Sequence, residues 1–188
     1  MDTGPVAKEG AVGPVAVQAE RGRADCGQIL LDGLRGTDPG LVLVFGAHGP
    51  ELAALDTMLR AGLPEGCIVA GCSSAGEIGP AGYATDSIVA IGFPSFHFRA
   101  AALVLPGLDA LPVSDWMAAL RRLQAGFGPD PQRALFGLLL VDGLAGQEDV
   151  LVATIDAALP SVPTLGGSAG DGLSFRQTWL LAQGQVIT

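Results

Sequence analysis

One short stretch occurs twice in this chain. Gly71-Cys72-Ser73-Ser74-Ala75-Gly76-Glu77 and Gly166-Gly167-Ser168-Ala169-Gly170-Asp171 each set Ser-Ala-Gly directly before a carboxylate. Ser74 and Ser168 stand 94 residues apart, and each copy follows a short apolar run. A chain that repeats in this way is constrained to fold as two related units. Glycine tolerates close approach of another strand or a ligand, and serine offers both a donor and an acceptor. An ionised acid only accepts, which suits an amine, a hydroxyl or a cation. The plain structural alternative is a bulge and turn joining two strands.

The flanking pattern supports the repeat. Leu41 to Phe45 is a continuous apolar, partly β-branched run and reads as a buried strand. Leu135 to Val141 reads the same way at the same offset. Helical spacing appears over Ala24–Leu34, Glu51–Ala61, Pro112–Ala125 and Gln147–Leu159. Ser114 is the expected N-cap of the third. Glu148 and Asp149 suit the first turn of the fourth, where the helix dipole favours anions. Further strands are expected at Val12–Ala19, Cys67–Ala70, Asp86–Phe93, Phe96–Leu105 and Thr178–Ala182. The expected fold is α/β, with two tandem β-α-β-α-β-β repeats forming mixed sheets flanked by helices. Residues 1–11 read as a flexible lead-in and 12–188 as one domain, with repeats over 12–94 and 95–188 and a seam near Pro94-Ser95.

Charge narrows the function. The formal net charge is −9 and the ten Lys and Arg are scattered, which argues against a nucleic-acid surface or an anionic membrane face. The apolar runs are too short to span a bilayer. Three cysteines form no disulfide framework and fit a reducing compartment. Two histidines without paired ligand spacing give no zinc signature. Without a signal-peptide pattern, the expected location is the cytoplasm.

Gly71 to Ile78, then Asp86-Ser87-Ile88-Val89-Ala90, then Gly166 to Asp171 resemble the N-terminal part of the FIST family. The likeness runs from about Val15 onward. It implies a sensory domain of a signal-transduction protein rather than an enzyme. The ligands proposed for the family are small molecules such as amino acids. Some members are haem proteins that sense nitric oxide and regulate a partner histidine kinase. Members usually carry a second, C-terminal FIST domain, which this sequence, running to Thr188, does not include; a site between the two domains would be half present.

The residues themselves leave several chemistries to weigh. Gly166 to Gly170 fits G-x-S-x-G, yet a hydrolase needs a strand, a sharp turn and a helix there, with its histidine downstream. Both histidines lie upstream, so a serine hydrolase using Ser168 is the remote alternative. Cys72 has no neighbouring cation in sequence to lower its pKa and reads as a small buried residue. His48 follows the buried strand at 41–45, where open α/β sheets place ligands, and Asp142 takes that place in the second half. His48 is either a pocket residue or an exposed loop histidine. His97, between Phe96 and Phe98, is either a haem ligand or a surface residue. The expected pocket for a small amino-acid-like ligand combines Cys72, Ser73, Ser74, Gly76 and Glu77 with Gly167, Ser168, Gly170 and Asp171. Glu77 or Asp171 would hold an amine. No cofactor is expected in this reading; haem on His48 or His97 is the alternative.

Overall fold

A computed structural model describes residues 13–47, 49, 52–182 and 184–188. The lead-in at 1–11 and His48 lie outside the described residues. Among those described, the order is β1 (Val15–Glu20), α1 (Cys26–Leu34), β2 (Pro39–Gly46), α2 (Leu52–Gly62), β3 (Ile68–Ser73), β4 (Glu77–Gly79), β5 (Gly82–Ala84) and β6 (Ser87–Pro94). Then come α3 (Val113–Ala125), β7 (Gly137–Asp142), α4 (Glu148–Ala158), β8 (Thr164–Ala169), β9 (Leu180–Ala182) and β10 (Gln185–Ile187). The protein is mixed α/β, as the alternation of apolar runs and helical stripes requires.

The main sheet has the order β1-β6-β2-β3-β9-β10. β2 and β3 are parallel, joined through α2, and the remaining neighbours are antiparallel. The valines of β2 explain its central place: Val42 and Val44 are fully buried beneath α1 and α2, against Leu30, Leu34 and Leu59. The β-branched side chains fit a pleated surface packed against helices. Gly71 is required where β3 meets β2. A Cβ there would stand only 1.9 Å from the carbonyl oxygen of Val44.

A second, smaller unit is built from α3, β7, α4 and β8. β7 and β8 form a separate two-stranded parallel sheet. Its core holds Trp116, Leu120, Val141, Leu151 and Ile155. The Trp116 indole N–H donates to the carbonyl of Pro106 at 2.9 Å, which pins the approach to α3. Pro112, not Ser114, precedes that helix, and no side chain caps it. Glu148 and Asp149 do occupy the first turn of α4.

Hydrogen-bond phase relates the two parallel ladders. Gly46 pairs with Ser73 and its carbonyl accepts the Ser74 N–H at 3.0 Å, so residues 42, 44 and 46 turn their polar groups toward β3. Gly137 pairs with Thr164 and donates its N–H to Pro163 at 2.8 Å, so 137, 139 and 141 turn toward β8. The shift that keeps phase is 95 residues, from Val44 to Leu139 and from Gly71 to Gly166. The face pattern agrees: Val44 and Leu139 each pack into the core of their own unit. Gly166 repeats the close approach of Gly71, with its Cβ position 2.0 Å from the Leu139 carbonyl oxygen. Ser73, rather than Ser74, is therefore the counterpart of Ser168. A shift of 94 would invert both the ladder and the faces.

The two full repeats expected from sequence are not both formed. The region expected as a strand at Phe96–Leu105 opens with a turn at 95–97, and no strand lies between β6 and α3. The closing strands of the second half, β9 and β10, join the first unit's sheet beside β3. Strand pairing is a nonlocal choice, and here β9 pairs with Ala70–Cys72 of β3.

Candidate functional site

The C-terminal ends of β3 and β8 meet. Gly170 donates its N–H to the Ser73 carbonyl at 3.0 Å. The buried Ser73 hydroxyl accepts the Trp179 N–H at 3.0 Å, while the Ser73 N–H donates to the Trp179 carbonyl at 2.9 Å. Beside them, the Thr178 hydroxyl donates to Asp142 at 2.6 Å, linking the lead-in of β9 to the end of β7. The twin stretches are thus brought together, with the segment before β9 as the tie.

A cavity of about 390 Å³ opens at this junction. Ala47, Ser74 and Thr85 line it from the first unit, and Asp171, Arg176 and Gln177 from the loop after β8. Ser74 is half-buried, and its hydroxyl donates to a Glu77 carboxylate oxygen at 2.6 Å. With its proton so committed, the Ser74 oxygen presents only lone pairs to other groups.

Glu77 does not stand at the rim. It is 3% exposed, and its second oxygen accepts the Ser87 hydroxyl at 2.8 Å. Ser87 in turn accepts from Gln18 at 3.2 Å, and Gln18 accepts the N–H of Ala81 at 3.0 Å. A carboxylate can be buried when its oxygens are hydrogen-bonded, and two serine hydroxyls meet that need here. Glu77 therefore acts on the cavity through Ser74, and the sequence-based expectation that it would hold an amine directly is corrected. Ser87 and Gln18, which complete this chain of bonds, were not foreseen. The cue was present: Ser87 is the polar residue opening an otherwise apolar strand.

Asp171 is at the cavity wall, but its oxygens are occupied. They accept the N–H groups of Phe175 (2.8 Å), Arg176 (2.7 Å) and Gln177 (3.0 Å). Those of Arg176 and Gln177 chiefly hold its carboxyl below the usual range. Asp171 shapes the loop, and the loop delivers Arg176. Among the described residues, no hydrogen bond or ion pair engages the Arg176 guanidinium. Sequence reasoning passed over this arginine because nothing in its spacing ties it to Ser74.

The other expected residues divide. Cys72 is buried within β3, and burial pushes its thiol up to about 11, which disfavours the thiolate a nucleophile needs. Gly76 makes room for Tyr83, whose hydroxyl lies 2.6 Å from the position of a Cβ. Gly167 and Ser168 are exposed on β8, outside the cavity, with the Ser168 hydroxyl 3.5 Å from Glu148. The strand continues through Ser168 to Ala169, without the sharp strand-to-helix turn of a hydrolase nucleophile. His97 sits in the exposed 95–97 turn, edge-on to Phe96 at 5.0 Å, and Phe96 is itself 84% exposed. That turn does not fit a haem, which needs enclosing apolar walls around its axial ligand. Among the described residues no His, Cys, Asp and Glu cluster forms a metal site, and no helix is long and apolar enough to cross a membrane.

Comparison with known proteins matches residues 40–188 to the family model of the FIST N domain. No curated protein matches the chain.

Proposed function

From the premise that the chain belongs to the FIST family, whose domains are sensory domains of signal-transduction proteins, we propose that it binds a small zwitterionic ligand and hands the signal to a partner. The observation that carries this reading is the pairing of Ser74 and Arg176 in one cavity. Ser74 has given its proton to Glu77 and can only accept, so it suits an ammonium or other donor. Arg176 offers a fork of donors suited to a carboxylate. A free amino acid carries both groups. The cavity walls come from the first unit and from the loop after the second, so an occupant would bridge them. Bridging favours one arrangement of the two, and a partner such as a histidine kinase would read it. Binding, not catalysis, is the reading: the serines of the twin stretches are bonded to structural partners, and Cys72 is held as a thiol.

A thermal-shift screen over free amino acids and organic acids, followed by calorimetry, tests it. A ligand at about a hundredfold excess over its Kd stabilises the fold by about 2.7 kcal/mol. Ser74→Ala and Arg176→Gln should each weaken a hit about tenfold or more, since a hydrogen bond to a charged group is worth about 1.5–3 kcal/mol. Ser168→Ala should leave affinity unchanged. Equal binding by all three variants and the parent would place the ligand elsewhere.

A further inference from the structure

We infer that the β4–β5 hairpin is the output element of the cavity: a contact made at Ser74 shifts the hairpin between a docked and a released position. The inference rests on the ligand reading above and adds where its signal leaves. A chain of hydrogen bonds carries it. The Ser74 hydroxyl, at the cavity wall, donates to one Glu77 oxygen at 2.6 Å. The Ser87 hydroxyl donates to the other at 2.8 Å. The Gln18 side-chain nitrogen donates to the Ser87 hydroxyl at 3.2 Å and to the Gly82 carbonyl at 3.3 Å. The Gln18 side-chain oxygen accepts the Ala81 N–H at 3.0 Å. Ala81 lies in the turn after β4, and Gly82 opens β5. One end of the chain is therefore at the cavity and the other at the hairpin turn.

This chain of bonds has one arrangement of protons. The Ala81 N–H can only donate, so the Gln18 amide must turn its oxygen there and its nitrogen to Ser87. Ser87 accepts that bond, and its single proton goes to Glu77, which as a carboxylate only accepts. A displacement of Glu77 cannot be absorbed by an amide flip or a hydroxyl rotation without leaving a polar group unsatisfied. It passes to Gln18 and on to the hairpin. The hairpin is the part able to respond. β4 and β5 have three residues each and form a two-stranded sheet of their own. A hairpin of that size is marginal by itself, so its seat on the body decides its order. Gly79 lets it sit directly on Gln18: a Cβ there would stand 2.6 Å from the amide oxygen. Both ends of the excursion return to the cavity, which Ser74 and Ala75 line before the hairpin and Thr85 after it. The hairpin carries to the surface the cross-strand pair Ile78 and Tyr83, 84% and 67% exposed. A ligand acceptor that draws the Ser74 hydroxyl to itself takes a donor from Glu77. An ammonium resting on the Ser74 oxygen strengthens the bond that Ser74 makes to Glu77. The two contacts bias the hairpin in opposite directions, so what binds at a half-buried serine alters where Ile78 and Tyr83 stand.

The test uses the 188-residue chain with no ligand added. Its failure is thus separate from failure of the ligand reading, which calorimetry decides. Exchange of the Ala81 amide is measured by NMR in Ser74→Ala, Gln18→Leu and the double variant, with the Val44 amide of β2 as the reference for the fold. The chain has a single tyrosine, so ring-labelled tyrosine reports on Tyr83 alone. Ser74→Ala should speed Ala81 exchange about threefold or more relative to Val44 and move the Tyr83 ring signal, although the path between them runs through Glu77, Ser87 and Gln18. Gln18→Leu should speed it at least as much. Adding Ser74→Ala to Gln18→Leu should change nothing further, because the connection is already cut. Ser74→Thr, which keeps the hydroxyl, should restore the parent's exchange. Ala81 exchange that Ser74→Ala leaves unchanged overturns the inference. An equal further increase in the double variant also overturns it, since the two residues would then act independently. So does acceleration matched at Val44, which would mark a general loss of the fold.

Discussion

Ser73 and Trp179 exchange two hydrogen bonds: the Ser73 N–H donates to the Trp179 carbonyl at 2.9 Å, and the Ser73 hydroxyl accepts the Trp179 N–H at 3.0 Å. This pairing, with the Gly170 N–H on the Ser73 carbonyl, ties a residue of the first unit to the far end of the chain. Ser73→Ala should strand the buried Trp179 N–H and cost about 1–3 kcal/mol in urea unfolding. The amides of β9 and β10 should exchange faster than those of β6. Uniform acceleration across the sheet would argue against a local tie.

Glu77 is buried with two hydroxyl donors and one open connection to the cavity through Ser74. Glu77→Ala should lower stability by about 2–4 kcal/mol, since it leaves Ser74 and Ser87 without their acceptor. Glu77→Gln, which keeps one acceptor oxygen, should cost less. A loss of ligand affinity with unchanged stability would show instead that Glu77 contacts the ligand.

Adjacent glycines in β8 should respond in opposite ways. A Cβ at Gly166 would stand 2.0 Å from the Leu139 carbonyl oxygen, whereas at Gly167 nothing lies within 4 Å. Gly166→Ala should therefore destabilise by about 3 kcal/mol by overpacking. Gly167→Ala should be close to neutral. Thermal unfolding of the two variants measures the contrast, and equal losses would refute the ladder phase.

The loop that carries Arg176 depends on an ionised Asp171. Backbone N–H groups of Arg176, Gln177 and Phe175 depress its carboxyl below the ordinary 3.8. A depressed acid stabilises its loop above the unfolded pKa and loses that contribution as pH falls through the folded value. Protection of the Arg176 and Gln177 amides should therefore hold from neutrality down to about pH 4 and fade below it. In Asp171→Asn the protection should be weak at every pH. Protection that persists unchanged in acid would show that the loop is held by something else.

Much of the framework was legible in the chain. β2 announces itself as Leu-Val-Leu-Val-Phe, and the helices as stripes of leucine at helical spacing, because burial on one face imposes a period that can be read locally. The twin Gly-Ser stretches marked the ends of the parallel strands and the place where the two units meet. The family resemblance, read from about Val15 onward, includes the residues 40–188 that the family model matches. What the sequence could not show was decided by pairing across long separations. Whether Glu77 lay at a rim or in a core depended on Ser87 and Gln18, which are 10 and 59 residues away in the chain and became its neighbours only when β1 and β6 paired. Likewise Phe96–Leu105 has the composition of a strand, but whether such a segment joins a regular ladder is decided by residues far away in the chain. Its hydrogen-bonding groups cannot be satisfied by its own residues, whereas a helix closes its bonds within four residues. Helices and apolar runs are therefore written locally, while the site and the register belong to the tertiary structure.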